Sequence, residues 1–337
     1  MNSSFTSIGD LGRDGLIRRL ANLPTSDHIG DDAAVLPLDD ARSLLVTSES
    51  FVEGVDFDLT YTPFTHLGYK LVNACVSDIL AMNGLPESIL VNLAVPNRIS
   101  MEMIDSLYEG IAKANEELGL TLVGGDVTAS PGSLAITVTA TGKADTASIT
   151  YRKGARVGDA LCVSGDLGAA YAGLKILLRE KRYWQDHGED SVQPILTDYE
   201  EVIRAQLVPQ VPIELIRTMA RMGIRPTAMI DISKHMLREL IQLGTSSDVG
   251  VYIYSAALPV SLDTRAVADE FEEDVDQYAL QGGEDYQLLF TLNEADVNRL
   301  SKEYKDLTVI GKVVHRSEGI KMQSAEGDVV SFDSDQG

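Results

Sequence analysis

Ile29-Gly30-Asp31-Asp32-Ala33-Ala34-Val35 places two adjacent carboxylates between a glycine and the apolar strand predicted at Ala33–Leu36. Acidic residues are poor strand formers and are costly to bury without a partner. A pair of them at a strand entrance therefore requires solvent, cations or a bound metal. In isolation, the stretch is more typical of an ordinary polar turn, because Gly and Asp are common turn residues.

Similar acid-bearing turns recur along the chain, and each adjoins a predicted strand or helix end. They are Ser48-Glu49, Ser77-Asp78, Gly124-Gly125-Asp126, Asp231-Ile232-Ser233 and Gly282-Gly283-Glu284-Asp285. Carboxylate and hydroxyl oxygens suit magnesium, which usually keeps a few carboxylates, waters and substrate phosphates as ligands. The pattern predicts a scaffold that brings carboxylates together around a metal-bound, phosphorylated ligand.

Composition narrows the class of protein. The chain has 337 residues with 51 acidic and 28 basic side chains, a formal charge of −23. This charge repels nucleic acid and anionic membranes, so we expect neither as a partner. No apolar run reaches membrane-spanning length, and Met1–Asp10 lacks the features of a signal peptide. The two cysteines, Cys75 and Cys162, lie in apolar segments, which favours a cytoplasmic protein.

Periodicity predicts an α+β (mixed α/β) chain of two domains, residues 1–146 and 147–337. The predicted helices are Leu11–Leu20, His66–Met82, Met101–Leu118, Ala169–Lys181, Tyr199–Ala205 and Pro212–Met222. The predicted strands are Ala33–Leu36, Ser43–Thr47, Ile89–Val95, Thr121–Val123, Leu134–Gly142, Ala160–Ser164, Ala228–Ile230, Val251–Tyr254, Gln287–Thr291 and Thr308–Lys312, followed by a hairpin around Gly327. Gln185–Gln193 is polar and acidic and is predicted to be an exposed loop.

Asp78 is predicted to lie inside the apolar face of the helix His66–Met82. Helical spacing places it between Leu67 and Leu71. A carboxylate in that position needs a partner. A structural Asp bonded to backbone amides and a metal ligand both satisfy the pattern.

The common nucleotide-binding signatures are absent from the sequence. There is no Gly-x-x-x-x-Gly-Lys-Ser/Thr loop, no Gly-x-Gly-x-x-Gly after a strand and no protein-kinase catalytic loop. The scattered histidines and cysteines do not form a zinc set. Magnesium bridging phosphate oxygens, the recurring device of phosphoryl transfer, remains the best match to the acidic turns.

The ordered motifs resemble those of the thiamine-monophosphate kinase family. They are Ile29–Ala34, Glu53-Gly54-Val55-x-Phe57, Ser77-Asp78-Ile79-x-Ala81-Met82, Gly124–Asp126, Asp231–Ser233 and Gly282–Tyr286, and the match runs from about Leu11 to Gly337. The resemblance implies the fold shared with aminoimidazole ribonucleotide synthetase and selenophosphate synthetase. It also implies a homodimer in which the N-terminal sheets pair. The implied reaction is the ATP-dependent phosphorylation of thiamine monophosphate to thiamine diphosphate with Mg²⁺.

The resemblance also implies roles for individual residues. Metal ligands would be Asp32, Thr47, Ser48, Glu49, Asp78, Asp126 and Asp231. ATP would contact Gly125, Asp126, Arg152 and Ser233, and the substrate would contact Asp56 and Glu284. The acceptor phosphate is already anionic, so no general base is required. Catalysis would depend on positioning and on charge stabilisation by Asp126, Asp78 and Lys234.

The sequence departs from the family pattern at several positions. Glu49 and Lys234 occupy positions where the family has aspartates, and Asp56 occupies a position where the family has a histidine. The chain ends at Gln336-Gly337, about where the family has an aromatic residue near the substrate. Three interpretations follow: a working kinase with a modified metal set, a catalytically silent homologue that binds nucleotide or thiamine phosphate, and a phosphotransferase with a different acceptor.

Overall fold

The computed structural model describes residues 7–24, 29–188 and 196–332. Its helices are α1 (Ile8–Ala21), α2 (Phe64–Ala81), α3 (Met101–Leu118), α4 (Ala169–His187), α5 (Glu200–Leu207), α6 (Ile213–Met222), α7 (Met236–Ser247), α8 (Leu262–Glu270), α9 (Val275–Gln281) and α10 (Glu294–Glu303). Its strands are β1 (Ala34–Pro37), β2 (Arg42–Val52), β3 (Leu85–Val95), β4 (Thr121–Ala129), β5 (Ala135–Asp145), β6 (Ala160–Ser164), β7 (Ala228–Asp231), β8 (Gly250–Tyr254), β9 (Leu288–Leu292), β10 (Leu307–Val314), β11 (Ile320–Gln323) and β12 (Val329–Phe332).

The strands form two mixed sheets. The first has the order β1-β2-β5-β3-β4, in which only the β3–β4 pair is parallel. The second has the order β12-β11-β8-β10-β6-β9-β7, in which only the β11–β8 pair is parallel. The predicted α+β class is therefore confirmed.

Helix α2 lies between the two sheets and is buried from Leu67 to Ala81. Its apolar residues join one core that includes side chains from both halves of the chain, such as Ile136 and Phe290. Helix α3 approaches α2 closely because Gly68 lacks a side chain: a Cβ there would lie 2.0 Å from the carbonyl oxygen of Leu107. A larger residue at this position would separate the two helices.

Four polar residues of α2, Lys70, Asn73, Ser77 and Asp78, recur at helical spacing within this buried helix. Residues three, four and seven positions apart lie on one side of a helix. The polar stripe therefore faces one region of the molecule, and burial requires each of its members to have a partner. Asn73 donates to the Tyr69 carbonyl of its own helix, whereas the partners of Lys70, Ser77 and Asp78 belong to the candidate site described below.

Several boundaries differ from the sequence-based prediction. Strand β4 continues through Gly124-Gly125-Asp126 to Ala129, whereas Thr121–Val123 was expected, and α4 continues to His187 into the expected loop. Residues 189–193 of that loop lie outside the described residues. Helices α7 to α10 are missing from the prediction, while the terminal hairpin is confirmed by the pairing of β11 with β12.

The strands of the first sheet all precede residue 146 and those of the second all follow it. The shared core passes across this position, so the domain boundary stays a prediction. Among the described helices, none combines the length and apolarity needed to cross a lipid bilayer.

Candidate active site

Three aspartates from distant parts of the chain meet at one point. Asp32 precedes β1, Asp78 lies on α2, and Asp231 ends β7. Each contributes one carboxylate oxygen to a group in which all three oxygens lie within 4.8 Å of one another. Three of the predicted acid-bearing turns therefore converge at this point.

The three aspartates line a cavity of about 660 Å³, which we call the acid cavity. Other predicted site residues line it too: Thr47, Ser48, Glu49, Arg152, Ser233 and Lys234. Arg13, Arg18, Arg238 and Glu239, which the sequence analysis did not identify, are also on its walls.

Hydroxyl groups hold two of the aspartates in place. Thr47 Oγ1 donates to Asp78 Oδ2 over 2.6 Å, and Ser77 Oγ donates to Asp231 Oδ2. Ser233 Oγ lies 3.3 Å from the other oxygen of Asp231. The partner given for Asp78 is thus a side-chain hydroxyl, in place of the backbone amides that the structural interpretation assumed.

Arg152 fixes the acidic pair at the start of β1. Its guanidinium donates to Asp32 Oδ1, and its backbone N–H donates to Asp31 Oδ1 over 2.9 Å. The second oxygen of Asp32 is buried and has no hydrogen-bond partner among the described residues. An unpaired carboxylate oxygen inside a protein is costly, so this atom is available to a cation.

Crowding of buried carboxylates shifts their pKa values upward. Burial raises the pKa of Asp32 to about 7, although Arg152 opposes the increase. Burial and the nearby Asp231 raise the pKa of Glu49 to about 7, and burial raises the pKa of Asp78 well above its usual value. A divalent cation at this point would relieve both the desolvation and the mutual repulsion.

The donor set fits magnesium. Carboxylates and hydroxyls are hard oxygen ligands, and the buried unpartnered oxygen of Asp32 supplies a vacant acceptor among them. The described residues thus have the chemistry of a Mg²⁺ site, with Asp32, Asp78 and Asp231 at its centre.

A second cavity of about 240 Å³ contains the predicted substrate contacts Asp56 and Glu284, and we call it the aromatic cavity. Phe57, Tyr61 and Tyr171 line its walls. Asp56 Oδ2 accepts a hydrogen bond from the backbone N–H of Val52, which fixes the turn that carries it.

Glu284 is held charged by two partners that sequence analysis missed. Lys70 Nζ and Gln206 Nε2 each lie 2.9 Å from Glu284 Oε2. Burial alone would raise the pKa of Glu284, but these donors hold it below its usual value. A lysine on the buried, largely apolar helix α2 was the sequence signal that could have identified Lys70.

The two cavities are joined by backbone contacts between their loops. Glu284 N–H donates to the carbonyl of Ser233, and Tyr286 N–H donates to that of Ile232. Gly283 packs so closely that a Cβ there would lie 1.4 Å from the carbonyl oxygen of Lys234. Lys234 therefore lies where the loop of the acid cavity touches the turn that carries Glu284.

Comparison with known proteins agrees with this architecture. Residues 30–144 match the family model "AIR synthase related protein, N-terminal domain". The chain is 32% identical over 311 residues to thiamine-monophosphate kinase of Aquifex aeolicus, covering 92% of this chain and 94% of that protein. The chain belongs to the thiamine-monophosphate kinase family.

Other members of the family support the assignment. The Bacillus subtilis thiamine-monophosphate kinase is 30% identical, with 85% of this chain and 84% of that protein covered. The solved structure of AaThiL complexed with AMPPCP and TMP superposes with a TM-score of 0.84 at 30% identity and covers 98% of each chain. Thiamine-monophosphate kinases are phosphotransferases, so membership makes this protein an enzyme of that class.

Two predicted site residues of this family member lie apart from both cavities. Gly125 and Asp126 are in the exposed edge strand β4. Asp126 is in register with Asn92, which pairs with Thr137 and through it with Ser50. The position is three strands from β2, or about 14 Å at the usual strand spacing. Within one chain, Asp126 does not join the acid cavity.

Proposed function

We propose that this protein phosphorylates thiamine monophosphate to thiamine diphosphate with ATP as co-substrate. An oxygen of the acceptor phosphate attacks the γ-phosphorus of ATP directly, and the bond from that phosphorus to the β-phosphate oxygen breaks. The products are ADP and thiamine diphosphate. The observation that carries the proposal is the contact between a carboxylate-lined cavity and an aromatic, carboxylate-lined cavity at one loop junction.

The acid cavity suits the nucleotide phosphates. Asp32, Asp78 and Asp231 would hold Mg²⁺, with Thr47, Ser48 and Glu49 as further oxygen donors on the same wall. The metal neutralises the charge of phosphate oxygens when it is bound. Arg152 is positioned on Asp32 and Ser233 on Asp231, and both side chains are available to phosphate oxygens from the same cavity.

The aromatic cavity suits the organic part of thiamine monophosphate, which contains a positively charged thiazolium ring. Tyrosine rings attract cations through their faces, and carboxylates attract them by charge. Glu284 is paired with Lys70 and Asp58 with Lys181, whereas Asp56 forms no salt bridge with any described residue. Asp56 is therefore the carboxylate we assign to the thiazolium cation, which gives a role to the substitution of the family histidine.

Lys234 is assigned to charge stabilisation during transfer. It lines the acid cavity, and its backbone packs against the turn that carries Glu284. It forms no salt bridge within the described part of the chain. Its ammonium group can therefore contact the oxygens of the γ-phosphoryl group as that group moves from the acid cavity to the acceptor in the aromatic cavity. An ammonium at this point replaces a carboxylate and its metal with a cation provided by the protein itself.

A homodimer accounts for Asp126. All nine residues of β4 are exposed, among them Leu122, Val123 and Val127. A long exposed edge strand with apolar side chains favours pairing with another chain. We infer that a second copy covers this surface and that Asp126 and Gly125 serve the acid cavity of the partner.

The test is an acceptor panel with the purified protein and Mg-ATP, using thiamine monophosphate, thiamine and pyridoxine 5′-phosphate. Transfer to thiamine monophosphate, lost in Asp231→Asn, supports the proposal. Transfer only to another acceptor would identify an acceptor-switched relative. Binding of Mg-AMPPCP and thiamine monophosphate without turnover would identify a catalytically silent one.

A further inference from the structure

Helix α1 places two arginines at the mouth of the acid cavity. Arg13 and Arg18 line this cavity and also line a more open cavity of about 420 Å³, which we call the outer basin. Lys234 likewise lines both. Arg238 lines both cavities as well, so these cations lie on the wall that the two cavities share.

Among the described side chains that line the outer basin, the charged ones are all basic. The chain carries a formal charge of −23, yet no acidic side chain of a described residue lines this basin. Clustered cations on an acidic protein create a local attraction for anions. The basin therefore selects an anion that approaches the acid cavity from the side of α1.

Neither arginine is held by a salt bridge to a described residue, although the charge of Arg13 opposes the rise in the pKa of Glu49. Helix α1 is also weakly packed, since Ile8 is 67% exposed and Leu20 is 45% exposed. An arginine that only stabilised the fold would be expected to pair with a carboxylate or to cover apolar surface.

The position of the two arginines relative to the three aspartates indicates the chemical class of the ligand. The carboxylates at the bottom of the acid cavity suit a metal that holds one side of a phosphate chain, whereas the rim offers guanidinium and ammonium donors to oxygens on the other side. Arg binds phosphate oxygens through charge-assisted hydrogen bonds in a forked geometry. An anion with linked phosphates can contact a metal at the carboxylates and the cations of α1 at the same time.

We propose that Arg13 and Arg18, together with Lys234, form a polyphosphate clamp for the nucleotide. The proposal rests on the proposed function, because it assigns the phosphate chain of ATP to the acid cavity. It adds that α1 supplies part of the neutralising charge that metal ions would otherwise provide. It also predicts that the clamp recognises the phosphate chain without regard to the base.

The experiment is calorimetric titration of the full-length protein with Mg-AMPPCP and, separately, with Mg-tripolyphosphate. The variant is the double substitution Arg13→Gln with Arg18→Gln, and the matched control is Arg19→Gln. Arg19 is the next residue of the same helix and lines neither cavity. Binding of thiamine monophosphate by all three proteins verifies that they are folded.

We expect the double variant to bind both probes at least about tenfold more weakly, because two charge-assisted contacts are removed. Its affinity should also depend less steeply on salt concentration. Arg19→Gln should stay within about twofold of the unmodified protein.

Equal affinity in the double variant, or no binding of either probe by the unmodified protein, would overturn the clamp. Failure of the proposed function gives a different result. In that case the unmodified protein binds Mg-AMPPCP, the double variant binds it weakly, and no thiamine diphosphate forms.

Discussion

Lys70 and Glu284 are 214 positions apart in the chain, and Nζ of the lysine lies 2.9 Å from Oε2 of the glutamate. The lysine side chain is 8% exposed and the glutamate side chain is 32% exposed. The ion pair connects α2, the central helix of the core, to the turn that lines the aromatic cavity. It thus couples the stability of the fold to the shape of the aromatic cavity.

Replacing Lys70 with Met should therefore affect both properties. Glu284 would keep Gln206 but lose its buried cation, which we expect to cost about 2 kcal/mol of unfolding free energy. KM for thiamine monophosphate should rise about tenfold, whereas KM for ATP should change little. Urea denaturation and steady-state kinetics measure the two effects. Lys302→Met, at an exposed site on α10, is the control, and equal behaviour of the two variants would contradict the coupling.

Raised carboxyl pKa values predict the effect of pH on the metal-free protein. Burial raises the pKa values of Asp32 and Glu49 to about 7. Between the unfolded and folded pKa values, the folded state binds more protons than the unfolded state, so the unfolding free energy should fall as pH rises from about 5 to about 8. Thermal unfolding should show a lower Tm at the higher pH.

Magnesium should reverse that trend, because it binds the deprotonated carboxylates. The increase in Tm on addition of Mg²⁺ should accordingly be larger at about pH 8 than at about pH 5.5. A magnesium effect that is equal at both pH values, or absent at both, would mean that these carboxylates do not bind the metal.

Ser77 positions Asp231 through the hydrogen bond from Oγ to Oδ2. Its replacement by Ala should weaken magnesium binding about tenfold, since groups that orient metal ligands typically contribute effects of this size. Ser106→Ala is the control, because Ser106 donates only to the Glu102 carbonyl of its own helix. Calorimetric titration with Mg²⁺ measures the difference, and an unchanged affinity for Ser77→Ala would argue against Asp231 as a ligand.

Lys234 should influence the rate of transfer more than substrate binding. Lys234→Met is expected to lower kcat by about a hundredfold, as removal of one charge-stabilising donor does elsewhere. Lys234→Arg should keep most of the activity because the cation remains. A gain of activity in Lys234→Asp would instead mean that the site works best with a carboxylate at this position and that the lysine impairs it.

Sharing of the site between two subunits can be tested by complementation. Asp126→Asn and Asp231→Asn chains should each be inactive alone. After denaturation and refolding together, mixed dimers would contain one intact site, and the mixture should recover about a quarter of the unmodified activity. No recovery, with dimers present by sedimentation, would place Asp126 outside the partner's site.

Sequence alone predicted much of the acid cavity, since each acidic turn is a local signal. Local preferences disfavour acidic residues at the start of a strand, as in Gly30-Asp31-Asp32, and on an apolar helix face, as at Asp78. Such conflicts between local preference and position mark functional residues. The structure brings Asp32, Asp78 and Asp231 together as predicted.

Other features depend on contacts that no local pattern contains. Gly124-Gly125 reads as a loop because glycine weakens strands, but pairing with β3 extends β4 through it, and a Cβ on Gly125 would lie 1.9 Å from the Val91 carbonyl oxygen. The partner of Lys70 depends on how the turn that carries Glu284 packs against α2. The role proposed for Arg13 and Arg18 depends on the packing of α1 beside the acid cavity, which no local sequence pattern predicts.

The most direct measurement is ³¹P NMR of a reaction that contains the purified protein, Mg-ATP and thiamine monophosphate. We expect loss of the thiamine monophosphate and γ-phosphate signals, with equal growth of the signals of ADP and thiamine diphosphate. Unchanged ATP, or release of inorganic phosphate without thiamine diphosphate, would contradict transfer between the two cavities.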